Sequence, residues 1–159
     1  MKTKGALEKA VVAALERATQ DVCEHDWHLL HADASERSLT HRLAVHLAGH
    51  FPGYHVDCEY NRDGFDVKRL ALHERVGIDD DSLDAVTVFP DVIVHVRGRP
   101  DRNLLVVEVK KASSRVSDAY DFLKLQAFKR DLGYAYAAHL RIGFGDEGEL
   151  VARLQWVSG

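Results

Sequence analysis

Residues 85–111 read AVTVFPDVIVHVRGRPDRNLLVVEVKK, which is two apolar runs on either side of the turn signal Gly98-Arg99-Pro100-Asp101. Glycine and proline in such a signal favour a tight reversal of the chain. The stretch therefore predicts an antiparallel β-hairpin. With the turn centred in that signal, the numbers of opposed residues sum to 199, which puts Asp91 directly opposite Glu108.

The predicted hairpin places two carboxylates face to face inside apolar strands. Directly opposed residues have Cβ atoms about 4.5–5.5 Å apart, and like charges at that distance repel, so a cation is expected between them. Lys110 lies two residues beyond Glu108 and shares its face. Pro90 cannot donate to the ladder, so we expect the strand to be bulged or frayed beside Asp91. The alternative is a same-face Glu108–Lys110 ion pair, with Asp91 as a turn residue.

This set of residue types suits phosphodiester hydrolysis. Carboxylate oxygens are hard ligands of the kind that Mg²⁺ prefers, and Mn²⁺ accepts the same donors. Such an ion polarises a phosphodiester and lowers the pKa of a bound water. A neighbouring lysine can orient that water or offset the charge that develops on the phosphate.

The rest of the chain reads as one α+β domain. Asp33 followed by Glu36 matches a capping box at the start of a second helix, and Gly133 stands where a helix C-cap belongs. Residues 62–84 are polar and form an excursion with a short helix or strand. The predicted elements are helices over residues 4–22, 33–50 and 117–131, strands over 54–61, 85–96, 103–111 and 134–144, and a strand or short helix over 149–157.

Pro90-Asp91 followed on the next strand by Glu108-Val109-Lys110 resembles the PD-(D/E)xK nuclease superfamily. The resemblance implies a restriction-endonuclease-like core, in the order helix, three-stranded antiparallel meander, helix, strand. That core covers residues 33–144, preceded by an N-terminal helical extension over residues 1–32 and followed by residues 145–159.

The resemblance also implies roles for individual residues. Asp91 and Glu108 would hold Mg²⁺ or Mn²⁺ with the carbonyl of Val109, and Lys110 would assist the attacking water. Many relatives add an acid from the first core helix, and Glu36 is the natural candidate for it. The alternative, given equal weight, is that Glu36 is only the capping-box partner of Asp33. Glu59 on the first strand is the second-ranked choice for that acid.

The expected partner is nucleic acid, with DNA ranked ahead of RNA and with Arg62, Lys111 and Arg115 as phosphate contacts. The net charge of −4 excludes a protein that coats nucleic acid through bulk charge. By analogy with other nucleases of this fold, a homodimer and a separate targeting partner are expectations. The competing hypothesis is a catalytically silent module that keeps the nuclease fold and binds nucleic acid or protein within a larger assembly.

Three further patterns in the sequence are weaker. Cys23, His25, His28 and His31 would together support a zinc-stabilised interaction domain, although their spacing matches no strong finger pattern. Asp121 and Lys124, at i and i+3, are typical of a surface helix pair. Residues 1–10 lack the apolar stretch of a signal peptide, and no run is long enough to cross a bilayer, so the sequence predicts a cytoplasmic protein.

Overall fold

A computed structural model describes residues 4–63, 66–67, 69–70 and 86–158. The fold is α+β. Within the described residues no helix is long and apolar enough to span a membrane. The helices are α1 (Lys4–His25), α2 (Trp27–His31), α3 (Glu36–Ala48) and α4 (Ala119–Leu132), with a 3₁₀ turn at Pro100–Arg102; the strands are β1 (His55–Cys58), β2 (Arg62–Asp63), β3 (Asp66–Val67), β4 (Arg69–Leu70), β5 (Val86–Thr87), β6 (Val92–His95), β7 (Leu105–Lys111), β8 (Tyr136–Phe144) and β9 (Leu150–Trp156).

The main sheet has five strands in the order β1-β6-β7-β8-β9. Neighbours are antiparallel except β7 and β8, which run parallel and are joined through α4. The predicted hairpin register is confirmed, because Val92 pairs with Val107 and Val94 with Leu105. The last segment, which the sequence left open between strand and helix, is the edge strand β9.

The strand is interrupted where proline was expected to disturb it. The predicted run over residues 85–96 is divided into β5, which pairs with β4, and β6, which begins at Val92. Pro90 and Asp91 lie between the two strands, and their carbonyl oxygens accept hydrogen bonds from Glu59 N at 2.9 and 3.3 Å. Asp91 is thereby released from the regular ladder at the end of β6.

Helices cover both faces of the sheet. Side chains alternate between the faces along a strand, so β7 sends Leu105, Val107 and Val109 into the cluster formed with α1 and α3. Val106 packs into the smaller cluster beneath α4. By the same alternation, Glu108 and Lys110 face α4.

The helices differ from the prediction in two respects. The second helix begins at Glu36 rather than at Asp33, because Ser35 is the N-cap and its hydroxyl accepts a hydrogen bond from Ser38 N at 3.2 Å. The capping-box role of Asp33 is therefore wrong. The short helix α2 was not predicted, since five residues are too few for a periodic pattern. Gly133 does end α4, with the left-handed φ of 67° that glycine adopts without strain.

The predicted excursion over residues 62–84 lies largely outside the described residues. Its described part contributes β2, β3 and β4. In two short antiparallel ladders, β2 pairs with β3 and β4 pairs with β5.

Candidate functional site

Asp91 and Glu108 meet where β6 begins. Asp91 N lies 3.4 Å from Glu108 Oε1, and Val109 N donates a hydrogen bond of 2.8 Å to Asp91 Oδ2. The main chain of each strand thus contacts the carboxylate region of the other. Only 2% of Glu108 is exposed, so the hairpin register and the break at Pro90 together place two acids side by side in a largely buried position.

Both carboxyl groups resist ionisation. The pKa of Glu108 is raised from 4.5 to about 8, first because burial disfavours the charged form and then because Asp91 repels it. Burial likewise raises the pKa of Asp91, although the hydrogen bond from Val109 N opposes that rise. A cation is what would stabilise both charges at once. The carboxylate oxygens of Asp91 and Glu108 are donors of the kind that a hard divalent ion such as Mg²⁺ prefers.

Two lysines make ion pairs between α4 and β7 on this face of the sheet. Lys124 Nζ of α4 lies 3.0 Å from Glu108 Oε2, and both side chains are nearly buried. Lys110 Nζ of β7 lies 3.1 Å from Asp121 Oδ2 of α4. The prediction that Asp121 and Lys124 form an exposed surface pair is therefore wrong. Each of them pairs across to a residue of β7 with the opposite charge.

Asp121 also belongs to a buried polar network on the α4 face. His139 Nε2 lies 3.2 Å from Asp121 Oδ2, and Arg141 NH2 lies 2.5 Å from Asp118 Oδ1. Burial raises the pKa of Asp121, but the hydrogen bonds with His139 and Lys110 lower that pKa by more, so the pKa of Asp121 lies below its usual value. The network therefore keeps Asp121 ionised and fixes the ammonium of Lys110.

Ligand-forming groups of three also occur away from Asp91 and Glu108. Among the described residues, three carboxylate or imidazole atoms lie within 4.8 Å of one another in two groups, and neither includes Asp91, Glu108 or Glu36. One consists of Asp118, Asp121 and His139, which already has Arg141 and Lys110 as cationic partners. The other, on α1, consists of Asp21, Glu24 and His25.

Glu36 reaches the end of the strand that carries the motif. Its Oε2 accepts a hydrogen bond of 3.2 Å from Lys111 N. Asp33, three residues earlier, holds Lys111 Nζ at 3.1 Å and Ser113 Oγ at 2.9 Å. These hydrogen bonds lower the pKa of Asp33. The segment that leads into α3 is thereby fastened to the carboxyl end of β7.

A cleft of about 440 Å³ opens beside Asp91, and its lining residues are Glu36, Arg37, Thr40, His41, Cys58, Glu59 and Asp91. Both candidates for the third acid, Glu36 and Glu59, therefore border the same cavity as Asp91. Asp33 and Glu59 are the non-glycine residues with positive φ in the described part of the chain, each at 50°. Such backbone strain concentrates at functional sites, and Glu59 is one of the residues that line the cleft.

The predicted phosphate contacts lie outside this lining. Lys111 is bonded to Asp33, and Arg115 is 88% exposed opposite Asp146 at 3.9 Å. Arg62 is exposed at the start of β2. Arg37 and His41 of α3, which the sequence analysis did not select, border the cleft instead.

The proposed zinc residues are not gathered into one group within the described structure. His25 belongs to the α1 group with Asp21 and Glu24, whereas Cys23, His28 and His31 do not. The rings of His28 and His31 contact Trp27 at centroid distances of 6.2 and 5.6 Å. Their geometry is that of aromatic packing around α2.

Comparisons with known proteins leave the chain without an assigned family. No protein-family model matches the sequence, and searches of the curated proteins and of the solved structures gave no significant match. The interpretation of the site therefore rests on its own geometry and chemistry.

Proposed function

We propose that this protein is a metal-dependent nuclease that hydrolyses phosphodiester bonds, with DNA as its substrate. The observation that carries the proposal is the pairing of two largely buried carboxyl groups, Asp91 and Glu108, of which Asp91 also lines an open cleft. Burying two like charges together is costly, and the pKa of both carboxyl groups stays raised although Lys124 offsets part of that cost. Carboxyl groups with raised pKa values beside a cleft are typical of functional sites.

The topology supports the proposal. The elements α3, β1-β6-β7, α4 and β8 follow the order helix, antiparallel meander, helix, strand, and β8 lies parallel beside β7. This is the order of the restriction-endonuclease-like core that the Pro90-Asp91 and Glu108-Val109-Lys110 motif resembles. We therefore propose that core as the finer description of the α+β fold.

In this proposal each residue has a definite task. Asp91 and Glu108 bind Mg²⁺ or Mn²⁺ with the Val109 carbonyl, and the bound ion supplies charge for a phosphate oxygen and lowers the pKa of a water. Lys110, whose ammonium is held by Asp121, orients that water. Glu36 or Glu59, on the border of the cleft, provides the third acid.

Calorimetry on the metal-free protein tests the metal site. Wild type should bind Mg²⁺, and Asp91→Asn and Glu108→Gln should each abolish binding. Asp101→Asn is the matched control, because this exposed carboxylate lies at the turn end of the same hairpin and pairs with Arg99. Folded wild type that binds neither Mg²⁺ nor Mn²⁺ would refute the proposal.

Nicking of supercoiled plasmid and cleavage of single-stranded DNA test the chemistry on the same samples. Lys110→Met should keep its Mg²⁺ affinity and lose about 100-fold or more in rate, as when one charge-stabilising group is removed from an active site. Equal rates for wild type and Lys110→Met would remove Lys110 from the mechanism.

One observation favours a second candidate, a silent module that binds nucleic acid or protein. Two of the three charged residues of the motif already have partners on α4, since Lys124 pairs with Glu108 and Asp121 with Lys110. A pair of buried salt bridges could therefore serve to dock α4 on the sheet. Wild type that binds DNA but neither Mg²⁺ nor Mn²⁺, and cuts no substrate, is the result this candidate expects.

A further inference from the structure

The cleft is lined by basic as well as acidic side chains. Arg37 and His41 are four residues apart on α3, so they lie on one face of the helix, and both line the cleft. Asp91 and Glu59 line the same cavity. The cleft thus holds a guanidinium that suits an anion among carboxylates that suit a cation.

Arg37 is available to a ligand. Its NH2 group lies 3.3 Å from Glu59 Oε1, yet 82% of the side chain is exposed, so most of the guanidinium faces solvent. Exposed ion pairs of this kind contribute little to stability. Arg37 can therefore exchange Glu59 for a stronger anion at small cost. Because Arg37 is also the second residue of α3, the positive end of the helix dipole adds to its charge.

We infer that Arg37, with His41 beside it, binds the phosphate backbone of the nucleic-acid strand that enters the cleft. The inference rests on the proposed function and adds the substrate contact that it lacks. Guanidinium forms paired hydrogen bonds with phosphate oxygens. A strand approaching Glu36, Glu59 and Asp91 would otherwise meet only negative charge.

The Arg37–Glu59 pair provides a specific test of the inference, because replacing the two residues should change DNA affinity in opposite directions. Arg37→Gln removes a phosphate contact, so it should weaken DNA binding about tenfold and lower the slope of log K against log salt by about 0.9. In EDTA, Glu59→Gln removes a repelling charge and releases the guanidinium, so it should strengthen DNA binding. If Arg37 only positioned Glu59, both variants would weaken binding alike.

The experiment measures fluorescence anisotropy of a labelled DNA duplex and of its single strand across a salt series. Each titration is done once in EDTA and once in Ca²⁺, with full-length wild type, Arg37→Gln, His41→Gln and Glu59→Gln. The matched control is Arg99→Gln, since Arg99 is an exposed arginine paired with Asp101 at the turn end of the hairpin. Circular dichroism checks that every variant is folded.

Weaker binding with a smaller salt slope in Arg37→Gln, and stronger binding in Glu59→Gln, would support the inference. Arg37→Gln that behaves like Arg99→Gln, parallel losses in Arg37→Gln and Glu59→Gln, or wild type that binds neither probe would overturn it. The plasmid assay separates this inference from the proposed function. Arg37-dependent binding without cleavage would refute the nuclease alone, whereas cleavage with unchanged Arg37→Gln binding would refute the phosphate contact alone.

Discussion

The metal-free protein should lose stability as the pH rises, and Glu108→Gln should remove that loss. The pKa of Glu108 is 4.5 in an unfolded chain and about 8 in the folded protein. Between these values the native state keeps a proton that the unfolded state has released, so the free energy of unfolding falls with rising pH. At about 1.4 kcal/mol for each pH unit, the interval from 4.5 to about 8 amounts to at most about 5 kcal/mol.

Urea unfolding in EDTA, followed by tryptophan fluorescence, measures the effect. From pH 5 to pH 9 the free energy of unfolding should fall in wild type and stay level in Glu108→Gln, because the amide has no proton to release. The slopes against pH are compared rather than the absolute stabilities, since Glu108→Gln also leaves Lys124 without its carboxylate partner. Glu8→Gln is the control, since Glu8 is an exposed glutamate of α1. Parallel stability profiles for wild type and Glu108→Gln would refute the argument that burial suppresses ionisation of Glu108.

Three further variants test the fold. Asp57→Asn should lower the free energy of unfolding by about 1–3 kcal/mol near neutral pH, because Asp57 binds Arg97 and buried His95. Burial raises the pKa of Asp57, but these hydrogen bonds outweigh that effect, so the pKa in the folded protein lies below 3.8. The stabilisation is therefore complete above pH 3.8 and is lost as the pH falls through the pKa of the folded protein. An unchanged acid limb in Asp57→Asn would contradict it. Leu140→Ala should lower the free energy of unfolding in urea by about 2–5 kcal/mol, since Leu140 is 1% exposed in the main core. A decrease below about 1 kcal/mol would contradict this, because it would mean that neighbouring side chains fill the cavity. Gly133→Ala should cost about 1 kcal/mol in the same assay, because φ there is 67° although nothing lies within 4 Å of an added Cβ; a gain in stability would contradict the strain.

The buried salt bridges between α4 and β7 bear on how a metal would enter the site. Lys124 and the metal would compete for Glu108, so the pair can stabilise the metal-free protein at the expense of metal affinity. Removing one member of a buried pair leaves the other uncompensated, which usually costs several kcal/mol. Comparison of Lys124→Met with wild type in the calorimetric titration therefore has to include a fold check.

The sequence by itself determined the hairpin and its register. Two apolar runs around one turn allow a single pairing that keeps both strands buried, so the break at Pro90 and the meeting of Asp91 with Glu108 follow from local pattern. The C-terminal end of α4 at Gly133 is local in the same way. These features depend on residues close together in the chain, and such contacts are what periodicity and turn chemistry encode.

The tertiary structure alone decided which charges surround that pair. Lys124 and Asp121 have the spacing of an ordinary surface pair, and nothing in the sequence shows that they reach Glu108 and Lys110. Arg37 enters the cleft for a similar reason, because α3 and β1 meet only when the chain folds. The partners of a charged side chain depend on how a helix is docked and rotated against the sheet. That rotation is set by the packing of the whole core rather than by the residues beside it in sequence.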